Sequence, residues 1–179
     1  MELYFLRHGL AGQYGDPKYK DDSLRPLTAE GRRKIRSSAL GMKILGLRFD
    51  AVISSPYVRA RQTAEITAQV FKIKTKAIYL TENLLPPASC AALLKDVQTH
   101  FPASESILFT GHEPHLTEMI SSLLKSPVPL DIDFKKGGLC ALSLHQPWNA
   151  GSATLNWLLT SKQLGLIGQK GSYPSDPEL

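Results

Sequence analysis

Leu3-Tyr4-Phe5-Leu6-Arg7-His8-Gly9 is the stretch on which the reading of the fold turns. Four apolar residues in a row read as a short buried strand. The run then ends in a cation, an imidazole and a glycine. Ligands in open α/β sheets bind at the carboxyl ends of strands, so this ending reads as a reactive corner. Arginine grips a phosphate in two places. Histidine attacks phosphorus or moves a proton. Glycine lets the backbone turn sharply and come close to a ligand. The tripeptide alone occurs by chance; its place at the end of a first strand gives it weight.

Outward from this strand the chain alternates. Gln13 to Arg25 is a polar loop, and Thr28 caps a helix that runs to about Leu45 and stops at Gly46. Ala51-Val52-Ile53 is a second strand, and Pro56 falls where a first helical turn tolerates proline, opening a helix from about Tyr57 to Phe71. Ala77 to Leu80 reads as a third strand, Cys90 to about His100 as a helix capped by Ser89, and Ser106 to Thr110 as a strand. Pro114 starts a helix to about Leu124, and Leu139–Leu144 and Ala153–Leu159 are closing strands joined by a turn. Strands alternating with helices imply an α/β fold, a mainly parallel sheet with helices on both faces. Residues 1–168 read as one domain and 169–179, rich in Gly, Ser and Pro, as a loose tail.

Composition narrows the function. The 179 residues are 42% hydrophobic and 21% charged, as expected of a soluble globular domain rather than a disordered chain. No apolar stretch approaches the roughly 20 residues needed to span a bilayer, and the first strand begins too early for a signal peptide, so a cytoplasmic protein without membrane contact is expected. Cys90 and Cys140 have no metal or redox spacing and read as buried free thiols. The net charge of +5 is mild. Its densest cluster, Arg32, Arg33, Lys34 and Arg36, lacks the interleaved aromatics of a nucleic-acid surface, so an anionic substrate accounts for the balance and no nucleic-acid partner is expected.

Two further strand ends carry chemistry. Ser55-Pro56-Tyr57-Val58-Arg59 runs into a helix N-terminus, a ready anion site, with Arg59 able to point back toward the strand tip. Arg61 is about 200° further round that helix and faces elsewhere. Thr110-Gly111-His112-Glu113-Pro114 is the third corner. Carboxyl ends of parallel strands share one edge, so Arg7, His8, Arg59 and His112 should converge there: two guanidiniums to bind a phosphoryl group and an imidazole to attack it. Other patterns fail. His112 and His115 are three apart rather than four, with Pro114 between them, which does not fit a zinc protease helix. Asp131-Ile132-Asp133 follows Pro127 and Pro129 late in the chain rather than a first strand, and reads as a solvated loop. Asp96 and Gln146 stand six residues beyond the cysteines, where a cysteine phosphatase needs arginine.

With these motifs in this order, the chain resembles the histidine phosphatase superfamily, also called phosphoglycerate-mutase-like. Arg7-His8-Gly9 is similar to its nucleophile motif, Ser55 to Thr63 to its second-arginine motif and Gly111-His112 to its second-histidine motif. The loop Asp22-Ser23-Leu24-Arg25-Pro26-Leu27-Thr28 and the closing Asn156-Trp157 strand are similar to the small SixA-type phosphohistidine phosphatases. The resemblance implies a three-layer α/β/α sandwich and a metal-independent enzyme without cofactors. It implies His8 as nucleophile, forming a phosphohistidine intermediate that water hydrolyses. Arg7, Arg59 and a protonated His112 would offset the phosphoryl charge, each opposed pair near 4 Å giving roughly 4 kcal/mol at an effective dielectric of about 20. Arg25 and Thr28 are expected as substrate-loop contacts. Glu82 and Glu113 are the candidates for a general acid.

A phosphohistidine substrate relaxes the need for that acid, because imidazole is a far better leaving group than an alkoxide. The chain between Thr63 and His112 holds one strand and one helix but little for a lid, so an open pocket suiting a protein substrate is expected. The reading is therefore a phosphohistidine phosphatase acting on a phosphorylated signalling protein of the histidine phosphotransfer type. Its alternatives are a small-molecule phosphomonoester phosphatase and a non-catalytic phosphoprotein-binding module.

Overall fold

β1 (Glu2–Arg7) lies inside a six-stranded sheet, and its residues 3–6 are buried on both faces. The structure, a computed structural model, describes residues 1–128 and 130–170. After β1 come a 3-10 turn at Asp22–Leu24, α1 (Ala29–Ile44), β2 (Ala51–Ser54), α2 (Val58–Val70), β3 (Tyr79–Leu80), α3 (Cys90–His100), β4 (Ser106–Gly111), α4 (His115–Leu123), β5 (Leu139–Leu144), β6 (Ala153–Leu159) and α5 (Ser161–Lys170). The sheet order is β3-β2-β4-β1-β5-β6. β1 to β4 are mutually parallel, and β5 is antiparallel to both its neighbours.

The period-2 pattern of the strands builds the layers. Leu3 and Phe5 of β1 join Phe109 of β4 and Leu142 of β5 on one face, under Leu93 and Val97 of α3 and Leu116 and Ile120 of α4. Tyr4 and Leu6 join Leu108 and Ala141 on the other, under Met42 of α1, Ala64 of α2 and Leu164 of α5. This is the expected three-layer α/β/α sandwich with a mainly parallel sheet. Among the described residues no helix is long and apolar enough to cross a membrane.

Local signals set most element ends. The Thr28 hydroxyl accepts the Gly31 N–H at 3.0 Å to cap α1, and Gly46 leaves that helix at φ 76°. Ser89 caps α3 by accepting the Ala92 N–H at 3.2 Å. Three expectations are corrected. Pro56 lies ahead of α2, whose first residue is Val58 after an N-cap at Tyr57. The third strand shortens to Tyr79–Leu80 because Thr75–Ala77 forms a 3-10 turn. The tail does not begin at 169: Gln169 and Lys170 close α5, and the rest of the expected tail, 171–179, lies outside the described residues.

Candidate active site

The sheet order places the carboxyl ends of β1, β4 and β2 side by side. Backbone bonds tie these tips together: the His8 N–H donates to Gly111 at 3.0 Å, and the Ser55 N–H donates to Thr110 at 3.0 Å. Thr63 of α2 joins in, its hydroxyl accepting the Gly9 N–H at 3.2 Å and donating to the Arg59 carbonyl at 2.8 Å. A turn ahead of β5 wraps the corner from the other side. Gly137, at φ 73°, donates its N–H to the carbonyls of Arg7 and His8 at 3.0 and 3.2 Å. Gly9 itself is not in the left-handed region; its hydrogen is required because a Cβ there would meet Ile35 Cγ1 at 2.7 Å. The glycine of the opening motif thus serves close packing onto α1 rather than a sharp turn.

On this frame the expected side chains meet. His8 Nδ1 lies 2.7 Å from the Gly9 carbonyl, so Nδ1 carries the proton and Nε2 keeps a lone pair. Arg59 Nε donates to that Nε2 at 3.3 Å. The imidazoles of His8 and His112 are 5.1 Å apart. Ser55 Oγ accepts the Tyr57 N–H at 3.3 Å and stands 2.8 Å from His112 Nε2. Donation of the hydroxyl proton to Nε2 satisfies both groups, and it assigns the His112 proton to Nδ1. Arg7 Nη1 donates to the Phe134 carbonyl. Arg7 Nε and His112 Nδ1 are buried without a hydrogen-bond partner among the described residues. Buried donors left unpaired are costly, and both belong to residues at the strand tips that form this corner.

Burial is the leading cause of the site's electrostatics. It lowers His8 to about 2, with His112, Arg59 and Arg7 adding to the shift against the Gly9 hydrogen bond. His112 falls to about 3, again chiefly by burial and then by Arg59. Both imidazoles are neutral at rest. Burial and Arg59 thus work against the expected protonated His112, and as a neutral imidazole it offers Nδ1–H as its donor. Arg25 and Arg59 share the carboxylate of Asp22, at 2.7 and 2.9 Å. Lys136 is a further cation at this edge, its ammonium pushed down first by burial and then by Arg7, Arg25 and Arg59.

Among the described residues, the remaining expected residues divide. Arg25 reaches the cluster through Asp22 and also donates to the Gly12 carbonyl at 2.7 Å. Thr28 does not; its hydroxyl caps α1 and faces the Leu10 carbonyl. Glu82 is exposed in the 3-10 turn after β3, and no hydrogen bond or ion pair joins it to the four central residues. Glu113 is half-buried and near enough to feel the charge of Arg7. Burial raises its carboxyl while Thr117 and Arg7 oppose the rise, and its two oxygens accept the Thr117 N–H at 3.2 Å and hydroxyl at 2.6 Å. His115 turns away from His112, toward Glu118 and the Asn83 carbonyl. Arg61 pairs with Glu65 at 3.5 Å on the outer side of α2. The sequence assigns no site role to Asp22, Ser55, Thr63 or Lys136, although Asp22 opens the quoted loop ahead of α1. Ser55 and Thr63 lie inside the quoted second-arginine motif, whereas Lys136 carries no local signal.

Comparison with known proteins agrees with this geometry. The histidine phosphatase superfamily (branch 1) profile matches residues 3–84, which contain the Arg7-His8-Gly9 corner and Arg59. The chain is 34% identical over 143 residues to an uncharacterized protein of Picosynechococcus sp., covering 79% of this chain and 84% of that one. It is 26% identical over 164 residues to the phosphohistidine phosphatase SixA of Escherichia coli, covering 89% and 94%. The chain belongs to the histidine phosphatase superfamily, in its SixA-type branch. A solved structure of the protein histidine phosphatase SixA complexed with tungstate has the same fold, with a TM-score of 0.78 at 24% identity over 92% of this chain and 99% of that one.

Proposed function

We infer that this phosphatase hydrolyses phosphohistidine on a protein partner, with His8 as nucleophile. The observation that carries the reading is the His8 imidazole: neutral, with its proton held on the Gly9 carbonyl and its Nε2 lone pair turned into a pocket of guanidiniums. In the first step the Arg59 Nε–H is released from Nε2 of His8 to a phosphoryl oxygen, and Nε2 bonds to phosphorus as the bond to the substrate imidazole breaks. The departing nitrogen takes its proton from solvent. The Gly9 carbonyl, accepting from Nδ1–H, stabilises the positive charge that develops on the His8 ring. Arg7 Nε and His112 Nδ1, the unpaired donors, bind the phosphoryl oxygens together with Arg59. Water then attacks phosphorus, the bond to Nε2 breaks, and inorganic phosphate leaves with His8 restored.

The substrate class rests on the leaving group and on the open mouth. A departing imidazole has a conjugate acid near pH 6.5, so it asks little of a general acid. Beside the site, a cleft of about 180 Å³ lined by Tyr14, Tyr19, Lys20, Asp22 and Arg25 opens to the surface, suiting a side chain presented by a folded, phosphorylated signalling protein. Glu113 favours a second reading. A half-buried carboxyl raised by its surroundings, next to Arg7, is suited to protonate the alkoxide of a small phosphomonoester.

A phosphodonor panel decides between them. The expected result is a steep kcat/KM advantage for a phosphohistidine protein over sugar phosphates and phosphoserine, unchanged by Glu113→Gln. The reverse ranking, with Glu113→Gln inactive, would establish the phosphomonoester reading. Absence of labelling by any donor would leave a binding module.

A further inference from the structure

We propose that Asp22 is a positioning residue: it sets the working orientation of Arg59 and couples the loop bearing Arg25 to it. The proposal rests on the phosphatase reading above. Arg59 meets Asp22 with both terminal nitrogens, Nη1 donating to the Asp22 main-chain carbonyl at 2.7 Å and Nη2 pairing with Oδ2 at 2.9 Å. Its Nε donates to His8 Nε2 at 3.3 Å. A guanidinium is a rigid planar fork, so holding its Nη1–Nη2 edge determines where the Nε edge points. Tyr57, its ring 5.1 Å from the Arg59 carbon, covers one face of the fork without limiting rotation in its plane. Asp22 supplies that limit.

The other carboxylate oxygen, Oδ1, takes Arg25 Nε at 2.9 Å and Nη2 at 2.7 Å. One carboxylate therefore orients two guanidiniums from two separate elements. Its own backbone is held by the 3-10 turn, which Asp21 caps by accepting the Ser23 N–H at 2.8 Å. Asp22 also carries the charge that opposes these cations: at His112 it acts against both Arg59 and Arg25.

These two roles separate by sign in Asp22→Asn, which keeps the shape and removes the charge. Anion affinity rises because the arginines are no longer neutralised. Turnover falls because Arg59 is no longer held beside the nucleophile, where it meets the phosphoryl oxygens as Nε2 attacks. A residue that merely supported the fold would weaken both, and a carboxylate that merely competed with phosphate would bind tighter on removal without losing turnover.

The test combines calorimetric titration with inorganic phosphate and steady-state kinetics on a phosphohistidine protein and a chromogenic phosphomonoester. Asp22→Asn is expected to bind phosphate roughly three- to tenfold tighter and to lose about tenfold or more in kcat. Asp22→Glu, which keeps the charge and displaces the anchor, is expected to bind phosphate as wild type does and to lose kcat. Parallel losses in both measurements, or tighter binding with undiminished kcat, overturn the proposal. Phosphate affinity does not depend on substrate class. A wild-type protein that binds phosphate but turns over only the phosphomonoester overturns the phosphohistidine reading, while Asp22 is still judged on that substrate. A wild type that neither binds phosphate nor turns over any donor overturns both.

Discussion

Two polar clusters sit beside the parallel strands, and they are built on opposite rules. In one, Asp96 of α3 accepts from Tyr79 Oη at 3.0 Å, Thr81 Oγ1 at 2.7 Å and Asn83 Nδ2 at 3.2 Å, with His100 Nδ1 at 3.0 Å. Burial alone would raise that carboxyl, yet the hydrogen bonds hold it below its ordinary value. Every strong donor has found an acceptor within the chain, and the cluster pins β3 to α3. In the other, around His8, cations outnumber carboxylates, and Arg7 Nε and His112 Nδ1 have no partner among the described residues. A closed network rigidifies; an open one keeps donors for a ligand. The balance of donors against acceptors tells them apart.

The contrast is breakable. The largest effect belongs to the open cluster: His8→Ala should lower turnover by roughly 10⁴-fold or more. His112→Ala, losing one phosphoryl donor, should lower it by about 10²–10³-fold. Both should leave the thermal midpoint near wild type. Single-turnover kinetics with an acid-labile labelling assay reads this directly, and a labelled His8→Ala protein would remove His8 from the nucleophile's place. The closed cluster should behave in reverse. Asp96→Ala strands three or four donors and should cost about 1–3 kcal/mol, with kcat within about twofold of wild type; denaturant unfolding measures the first and the phosphatase assay the second. A large loss of kcat in Asp96→Ala would break the contrast.

A last effect, on stability and not on turnover, concerns pH. His8 is lowered to about 2 in the folded protein, so unfolding below pH 6.5 takes up a proton there. Its contribution to stability is fully present above the unfolded value of about 6.5 and is lost as pH falls toward the folded value. Replacing His8 by Asn should therefore make stability fall less steeply between about pH 6 and 3, by up to about 1.4 kcal/mol per pH unit. An unchanged slope in denaturant titrations would mean that the imidazole is not held neutral.

The legible parts of this protein are those written in neighbouring residues. The β1 run, the caps Thr28 and Ser89 and the three strand-end motifs predicted the elements and their convergence, because each depends on a few adjacent side chains. The helix α5 has no such local signal. Gly165 and Gly168 lower its intrinsic propensity, and it is held instead against α1, where Gly41 lets the Leu164 carbonyl approach to a distance no side chain would allow. Arg25 and Thr28 stood in one loop motif and separated in three dimensions, one joining the cluster and the other capping a helix.

What the sequence by itself determined is the chemistry available at each strand tip: a histidine and an arginine after β1, an arginine after β2, a histidine after β4. Patterning also placed these tips on one edge, since parallel strands share their carboxyl ends. The tertiary structure alone decided which state each group is in. The neutrality of His8 and His112 comes from burial by many distant residues. The orientation of Arg59 comes from Asp22, 37 residues away in the chain. The Gly137 turn that wraps the His8 corner comes from the segment ahead of β5, far along the chain but next to β1 in the sheet. Desolvation and hydrogen-bond direction depend on atoms brought together only by folding, and no local stretch of sequence encodes them.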